Sequence, residues 1–165
     1  MAYDPVSQYH LTRYRPVILV LTLSAAVAGI GAILALSGML GGAATVCIVL
    51  LVIFVVARAL IPFLRMDPPG SATTAIGRLH NVLAFLAFGS AIAVAFVAGG
   101  ALHDGGFAAQ VTWSTVFGVV GAIGAVGLLV GLIARRSALF GLFERLIYLG
   151  FIAWFLLIGV TALLG

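Results

Sequence analysis

The chain has 165 residues, 64% of them hydrophobic and only 7% charged, with a mean hydropathy of +1.33. Soluble domains carry roughly a quarter charged residues, so no water-soluble core could hide this much apolar surface and an ordinary soluble domain is excluded. All 8 basic residues are arginine, against 4 acidic ones, for a net charge of +4; with no basic run interleaved with aromatics there is no nucleic-acid partner to infer, and the charge instead suits an anionic lipid surface.

Residues 1–15 read as a short interfacial helix. Asp4 is placed to cap it, Pro5 fits its first position, and Tyr9 and Tyr14 are the amphipathic aromatics favoured at headgroup depth. Five apolar runs follow, at about 16–36, 43–64, 79–102, 112–134 and 142–164. Each approaches the roughly 20 helical residues that cross a hydrocarbon core. The first starts too late and runs too long for a cleaved signal peptide, and is read as a retained span. Gly38, Gly41 and Gly42 turn the chain after it; Asp67-Pro68-Pro69-Gly70 and His103-Asp104-Gly105-Gly106 break it after the second and third. The predicted fold class is all-α: a polytopic transmembrane helical bundle in a single membrane domain over 1–165.

Arg13 and Arg15 precede the first run, Arg58 and Arg65 end the second, Arg78 begins the third, and Arg135, Arg136 and Arg145 flank the last connection. With five crossings all of these fall on one side. The positive-inside rule makes that side cytoplasmic, with the N-terminus inside and the C-terminus outside, in a cell (plasma or inner) membrane. Trp113 would hold the start of the fourth span at the opposite surface.

Helices in lipid associate through small residues that let backbones approach. Gly118, Gly121, Gly124 and Gly127 recur at every third position, Gly127 and Gly131 form a G-x-x-x-G pair, and Ala25 and Gly29 supply a similar pattern in the first span. The first and fourth spans are the expected tight pair, with internal packing favoured over a homo-oligomeric seam.

Ionisable groups near membrane depth are functional suspects by default. Asp4, His10, Arg58, Arg65, Asp67, Arg78, His80, Asn81, Glu144 and Arg145 gather toward the arginine-bearing side. Of these, Asp67, His80, Asn81, Arg58, Arg78, Glu144 and Arg145 are the candidate ligand-binding set, with Glu144 expected to pair with Arg58 or Arg78. Structural readings stand beside these. Arg58 is expected to snorkel to the headgroups, His80 and Asn81 to end a span with a hydrogen bond to a neighbouring loop, Glu144 and Arg145 to form a local ion pair, and His103 and Asp104 to occupy a solvated turn.

Cys47, the lone cysteine, lies inside an apolar run as a small core residue. The three histidines are not placed for a bis-histidine haem, and no ligand pair stands at the i, i+4 spacing of a helical zinc site. No cofactor or metal is implied, and no catalytic motif with a nucleophile elbow or phosphate loop is present.

Phe63-Leu64-Arg65-Met66-Asp67-Pro68-Pro69-Gly70, followed by Thr73-Thr74, Gly77 and Leu79-His80, resembles the "F-P-x-D … G-x-x-H" signature of the "domain of unknown function 998" family of bacterial and archaeal multi-pass membrane proteins. Tyr3-Asp4-Pro5-Val6-Ser7 resembles its N-proximal Y-x-P…S segment, and Glu144-Arg145-Leu146 with Trp154 the start of its last span. The resemblance implies a membrane bundle without an established activity, and directs attention to Asp67 and His80. Members usually have six spans, the Asp-Pro segment following the first; here that segment is almost N-terminal, as in a short member lacking that span. The family's orientation would place the aspartate loops outside, and the arginine distribution of this chain is preferred over it.

The leading functional expectation is an accessory or ligand-binding bundle whose arginine-rich face holds an anionic lipid headgroup or small anion, alone, as a homo-oligomer or in a larger membrane complex. A membrane enzyme acting on lipid through His80 and Asp67, and a small transporter working as an oligomer, are the alternatives.

Overall fold

The computed structural model describes residues 12–68, 71–133 and 140–164. Among them there is no strand, and five α-helices follow in order: α1 (Arg15–Leu40), α2 (Thr45–Leu60), α3 (Ala75–Asp104), α4 (Ala108–Ile133) and α5 (Phe140–Leu164). The expected interfacial helix, with Asp4, Pro5, Tyr9 and His10, lies almost wholly outside the described residues, as do Arg135 and Arg136.

Four helical stretches are long and apolar enough to cross a membrane: Arg15–Phe63, Ala75–Asp104, Ala108–Ile133 and Phe140–Leu164. The expectation of five spans differs from this at the first stretch, whose 49 residues contain both α1 and α2. A 3-10 turn, Gly41–Ala44, joins them without an extended break. Gly41 adopts φ 51°, which a side chain would resist, and the Thr45 hydroxyl donates to the Gly42 carbonyl at 2.7 Å. The chain thereby doubles back, bringing Phe54 and Val55 of α2 against Gly29 of α1.

The other helix ends also have local causes. Pro16 occupies the first turn of α1, where its missing N–H is no loss. Pro62 has no N–H to offer the Arg58 carbonyl, so α2 stops after Leu60 and tightens into the 3-10 turn Ile61–Phe63. Thr74 caps α3, and Gly106 at φ 85° turns the chain into α4.

Successive helices run antiparallel. Phe96 and Ile92 of α3 lie over Gly118 and Gly121 of α4, while Phe143 and Ile147 of α5 lie over Gly127 and Gly124. α5 returns against α1, and Trp154 and Ile158 join Ala32, Leu36, Leu51 and Val94 in a common core. This up-and-down order carries Arg13, Arg15, Arg65, Arg78 and Arg145 to one end of the bundle. Leu40, Gly105 and Trp113 mark the other, where the Leu40 side chain reaches Gly105 and the exposed Trp113 stacks on Phe117.

The buried residues of α4 are Ser114, Gly118, Gly121, Gly124, Gly127 and Gly131. Three residues turn an α-helix by about 300°, so a stripe at every third position drifts by about 60° per step. That drift hands the glycines from α3 to α5. The expected pairing of the first and fourth spans is corrected accordingly: Gly29 serves the α1–α2 hairpin, and the glycines of α4 serve α3 and α5. Backbone meets backbone closely at Gly150, which sits on the Phe117 carbonyl and the Gly121 backbone.

Large aliphatic side chains face outward. Val20, Val27 and Leu34 are exposed on α1, while Thr22, Ala26, Gly29 and Ala32 are buried. In water such a surface would aggregate; in hydrocarbon it is solvated. Inside, polar groups are tied across helices. The Trp154 indole N–H donates to Ser114 Oγ at 2.7 Å, and the Ser114 hydroxyl donates to the Ala95 carbonyl at 2.6 Å, linking α5, α4 and α3.

Gly150→Ala should lower stability by about 1–3 kcal/mol in SDS-titrated mixed micelles, whereas Gly159→Ala, with open space around it, should be neutral or slightly stabilising. Ser114→Ala, which strands a buried indole N–H, should cost about 1–3 kcal/mol by the same titration.

Candidate functional site

The connection between α2 and α3 is held by a polar clasp. Asp67 Oδ2 accepts the Thr74 N–H at 2.8 Å and Oδ1 accepts the Thr74 hydroxyl at 2.8 Å. The Thr74 oxygen in turn accepts the Gly77 N–H at 3.0 Å. The carboxylate therefore lies over the N-terminus of α3, where the helix dipole favours an anion. A Cβ at Gly77 would collide with it.

His80 closes the clasp from one turn further along α3. It is 3% exposed, and its Nδ1 lies 3.1 Å from the Leu64 carbonyl. A carbonyl only accepts, so Nδ1 carries the proton. The bond pins the chain where it leaves the Ile61–Phe63 turn, and Asp67 lies within electrostatic reach of the imidazole. Arg78 and Asn81, on the same helix, are exposed and take no part in this clasp.

Arg58 is placed quite differently from the expected snorkelling residue. It is 3% exposed. In the hairpin Phe54 and Val55 lie against Gly29, so Arg58, a turn further on, is level with about Ala25, roughly 15 Å of helix from Arg15. Along α2 and α5 it lies nearer the arginine end, in the last turn of α2 and against Tyr148, one turn beyond Arg145. The guanidinium stands among rings from three helices, its carbon 6.0 Å from the centroid of Phe54, 5.9 Å from Phe88, 5.0 Å from Tyr148 and 5.6 Å from Phe151. Rings at such distances attract a cation through their quadrupoles. One terminal nitrogen donates to the Tyr148 hydroxyl at 3.2 Å, and the buried Nε has no hydrogen-bond acceptor among the described residues.

Glu144 faces inward on α5, 4% exposed and one turn before Tyr148; Arg145 beside it is half-buried. Both Glu144 and Arg58 act electrostatically on Tyr148. The expected ion pair of Glu144 with Arg58 or Arg78 is not formed within 4.0 Å among the described residues. The partner that α5 gives Arg58 is the Tyr148 phenol, a turn beyond the carboxylate.

The candidate residues thus fall into two places. Asp67 and His80 build the clasp at the arginine end; Arg58 lies deeper, with Glu144 on the same inner side of α5. Sequence reasoning did not find Thr74 as the centre of the clasp, although a threonine directly before a helical run is a capping signal. Nor did it find Phe54, Phe88, Tyr148 and Phe151, because aromatic residues in an apolar span carry no periodic mark. No group of three His, Cys, Asp or Glu side chains converges as a metal site among the described residues.

No family model, curated protein or solved structure matches the chain. The motif that prompted the family resemblance does have a physical meaning within this fold. Asp67, Gly77 and His80, its spaced Asp, Gly and His positions, are the residues that build the clasp.

Gly77→Ala should cost stability by evicting the Asp67 carboxylate, and the cost should largely vanish when Asp67→Ala is made in the same chain. A double-mutant cycle on thermal unfolding in detergent measures this coupling, with an interaction of about 1 kcal/mol or more expected.

Proposed function

We propose that the chain is a multi-pass membrane bundle of five crossings whose arginine end faces the cytoplasm and binds anionic lipid headgroups, acting as an accessory rather than a catalytic component. The observation that carries this reading is the collection of Arg13, Arg15, Arg65 and Arg78, all exposed, at one end of an otherwise apolar bundle. Tyr14 stands beside them, its ring 5.1 Å from the Arg13 guanidinium and its hydroxyl accepting from Arg13 at 3.0 Å. A basic, aromatic-flanked rim of this kind attracts acidic headgroups at about 1 kcal/mol per arginine.

The α1–α2 hairpin supports counting two crossings within its 49-residue stretch, since each arm brings large apolar side chains to the lipid-facing surface. The clasp gives Asp67 and His80 a structural task on the α2–α3 connection: the carboxylate accepts from Thr74, and the imidazole donates through Nδ1 to the Leu64 carbonyl. The resemblance to the "domain of unknown function 998" family is consistent with the bundle and adds no activity.

Two measurements test the proposal. In a Cys47→Ser background, Ser71→Cys should be shielded from an impermeant maleimide in intact spheroplasts while Asp104→Cys is labelled; the reverse pattern overturns the orientation, and labelling of both overturns the crossing count. In native lipid particles the protein should retain phosphatidylglycerol over phosphatidylcholine by mass spectrometry, and Arg65→Gln with Arg78→Gln should reduce that preference severalfold. An unchanged lipid ratio in the double variant would remove the headgroup role.

A further inference from the structure

We propose that Arg58 is the centre of an intramembrane site for a small monovalent inorganic anion, separate from the headgroup rim and independent of it. The argument starts from the cost of a buried cation. A guanidinium only 3% exposed inside an apolar bundle loses its hydration, and it is retained only where other groups replace that hydration. Four rings and one phenol hydroxyl supply part of the replacement. They leave the positive charge without a direct counter-ion among the described residues: no carboxylate there lies within ion-pair distance of Arg58, and its buried Nε–H has no acceptor there.

The chemistry of the missing partner follows from these walls. An acceptor of negative charge is required by the guanidinium, and the Tyr148 hydroxyl, already accepting from Arg58, has its own proton to donate to the same anion. The surrounding Phe54, Phe88 and Phe151 offer no further hydrogen-bond donors, which disfavours a multiply charged phosphate or sulfate. A single-charge ion with a low dehydration cost, such as bromide, chloride or nitrate, is the matching class. Burial separates this site from the headgroup rim: the rim arginines are exposed, whereas Arg58 is enclosed by rings from three helices. Glu144, a turn from Tyr148 on the inner side of α5, faces the same region, and its field opposes a multiply charged anion more strongly than a singly charged one held directly on Arg58.

The test uses purified full-length protein in lipid nanodiscs. Sodium gluconate is exchanged for sodium bromide at constant ionic strength, and thermal unfolding is followed. Wild type should climb by about 2–4 °C and level off, as expected for a ligand that binds the folded state alone. Arg58→Met, which keeps the length and loses the charge, should abolish the climb, and Tyr148→Phe should weaken apparent affinity severalfold. Arg65→Gln should leave the bromide response intact even where it alters lipid retention, so this site and the headgroup rim fail separately. A bromide anomalous-diffraction peak beside the wild-type Arg58 guanidinium gives the same answer without a variant if Arg58→Met does not fold. A wild-type Tm indifferent to bromide, with no anomalous peak, overturns the site. So does a response present only in Glu144→Gln, which would make Glu144 the native counter-ion.

Discussion

Hydrocarbon outside a membrane span is as apolar as a leucine inside it, so burying aliphatic side chains between two such spans gains little and contact must come from shape. The described bundle follows from that constraint. Its inner surfaces are rich in glycine, alanine, serine and threonine, with a few large side chains such as Leu36, Leu51, Val94 and Trp154 set among them, while most valine, leucine and isoleucine side chains are turned outward. Aromatic and branched side chains from α3 and α5 then fill the grooves that the glycines of α4 leave open. The three-residue repeat of those glycines makes α4 serve two neighbours in succession. A repeat of four would have drifted the other way and more slowly, keeping one partner along the helix.

The same solvent makes each buried polar group a cross-tie, since a donor with no water nearby needs an acceptor on its own or an adjacent helix. Trp154 through Ser114 to Ala95 joins three helices toward the end opposite the arginines. His80 to Leu64 holds the connection at the arginine end. Arg58 to Tyr148 joins α2 to α5 between them. The first two ties are closed by neutral partners. The third leaves a charge, and this asymmetry separates Arg58 from the polar groups that only hold the bundle together.

Pro62 has a wider effect than ending a helix. By removing the hydrogen bond to the Arg58 carbonyl it halts α2 early, and the chain descends toward α3 as a non-helical segment. Exposed backbone of this kind needs local partners, and Asp67, Thr74 and His80 provide them. The clasp thus follows from the break that the proline makes, and that break parts two residues close in the chain, leaving Arg58 on the last helical turn among rings and Asp67 in the connection.

Composition and run length by themselves determined the helical class, the approximate limits of α1, α3, α4 and α5, and the gathering of arginines toward one end, because solvation by lipid acts on whole segments and leaves a mark readable without coordinates. The Gly-Gly turn at 41–42 was also legible, since only a residue without a Cβ accepts φ 51° comfortably. Only the tertiary structure decided which helices meet, that Gly29 faces Phe54 rather than α4, and that Arg58 lies inside a ring of aromatics instead of at the surface. The physical reason is that spans apolar on every side carry no amphipathic signal to say which face turns inward. Partner choice then rests on the fit of particular side chains into particular gaps, and that fit exists only once the helices are assembled.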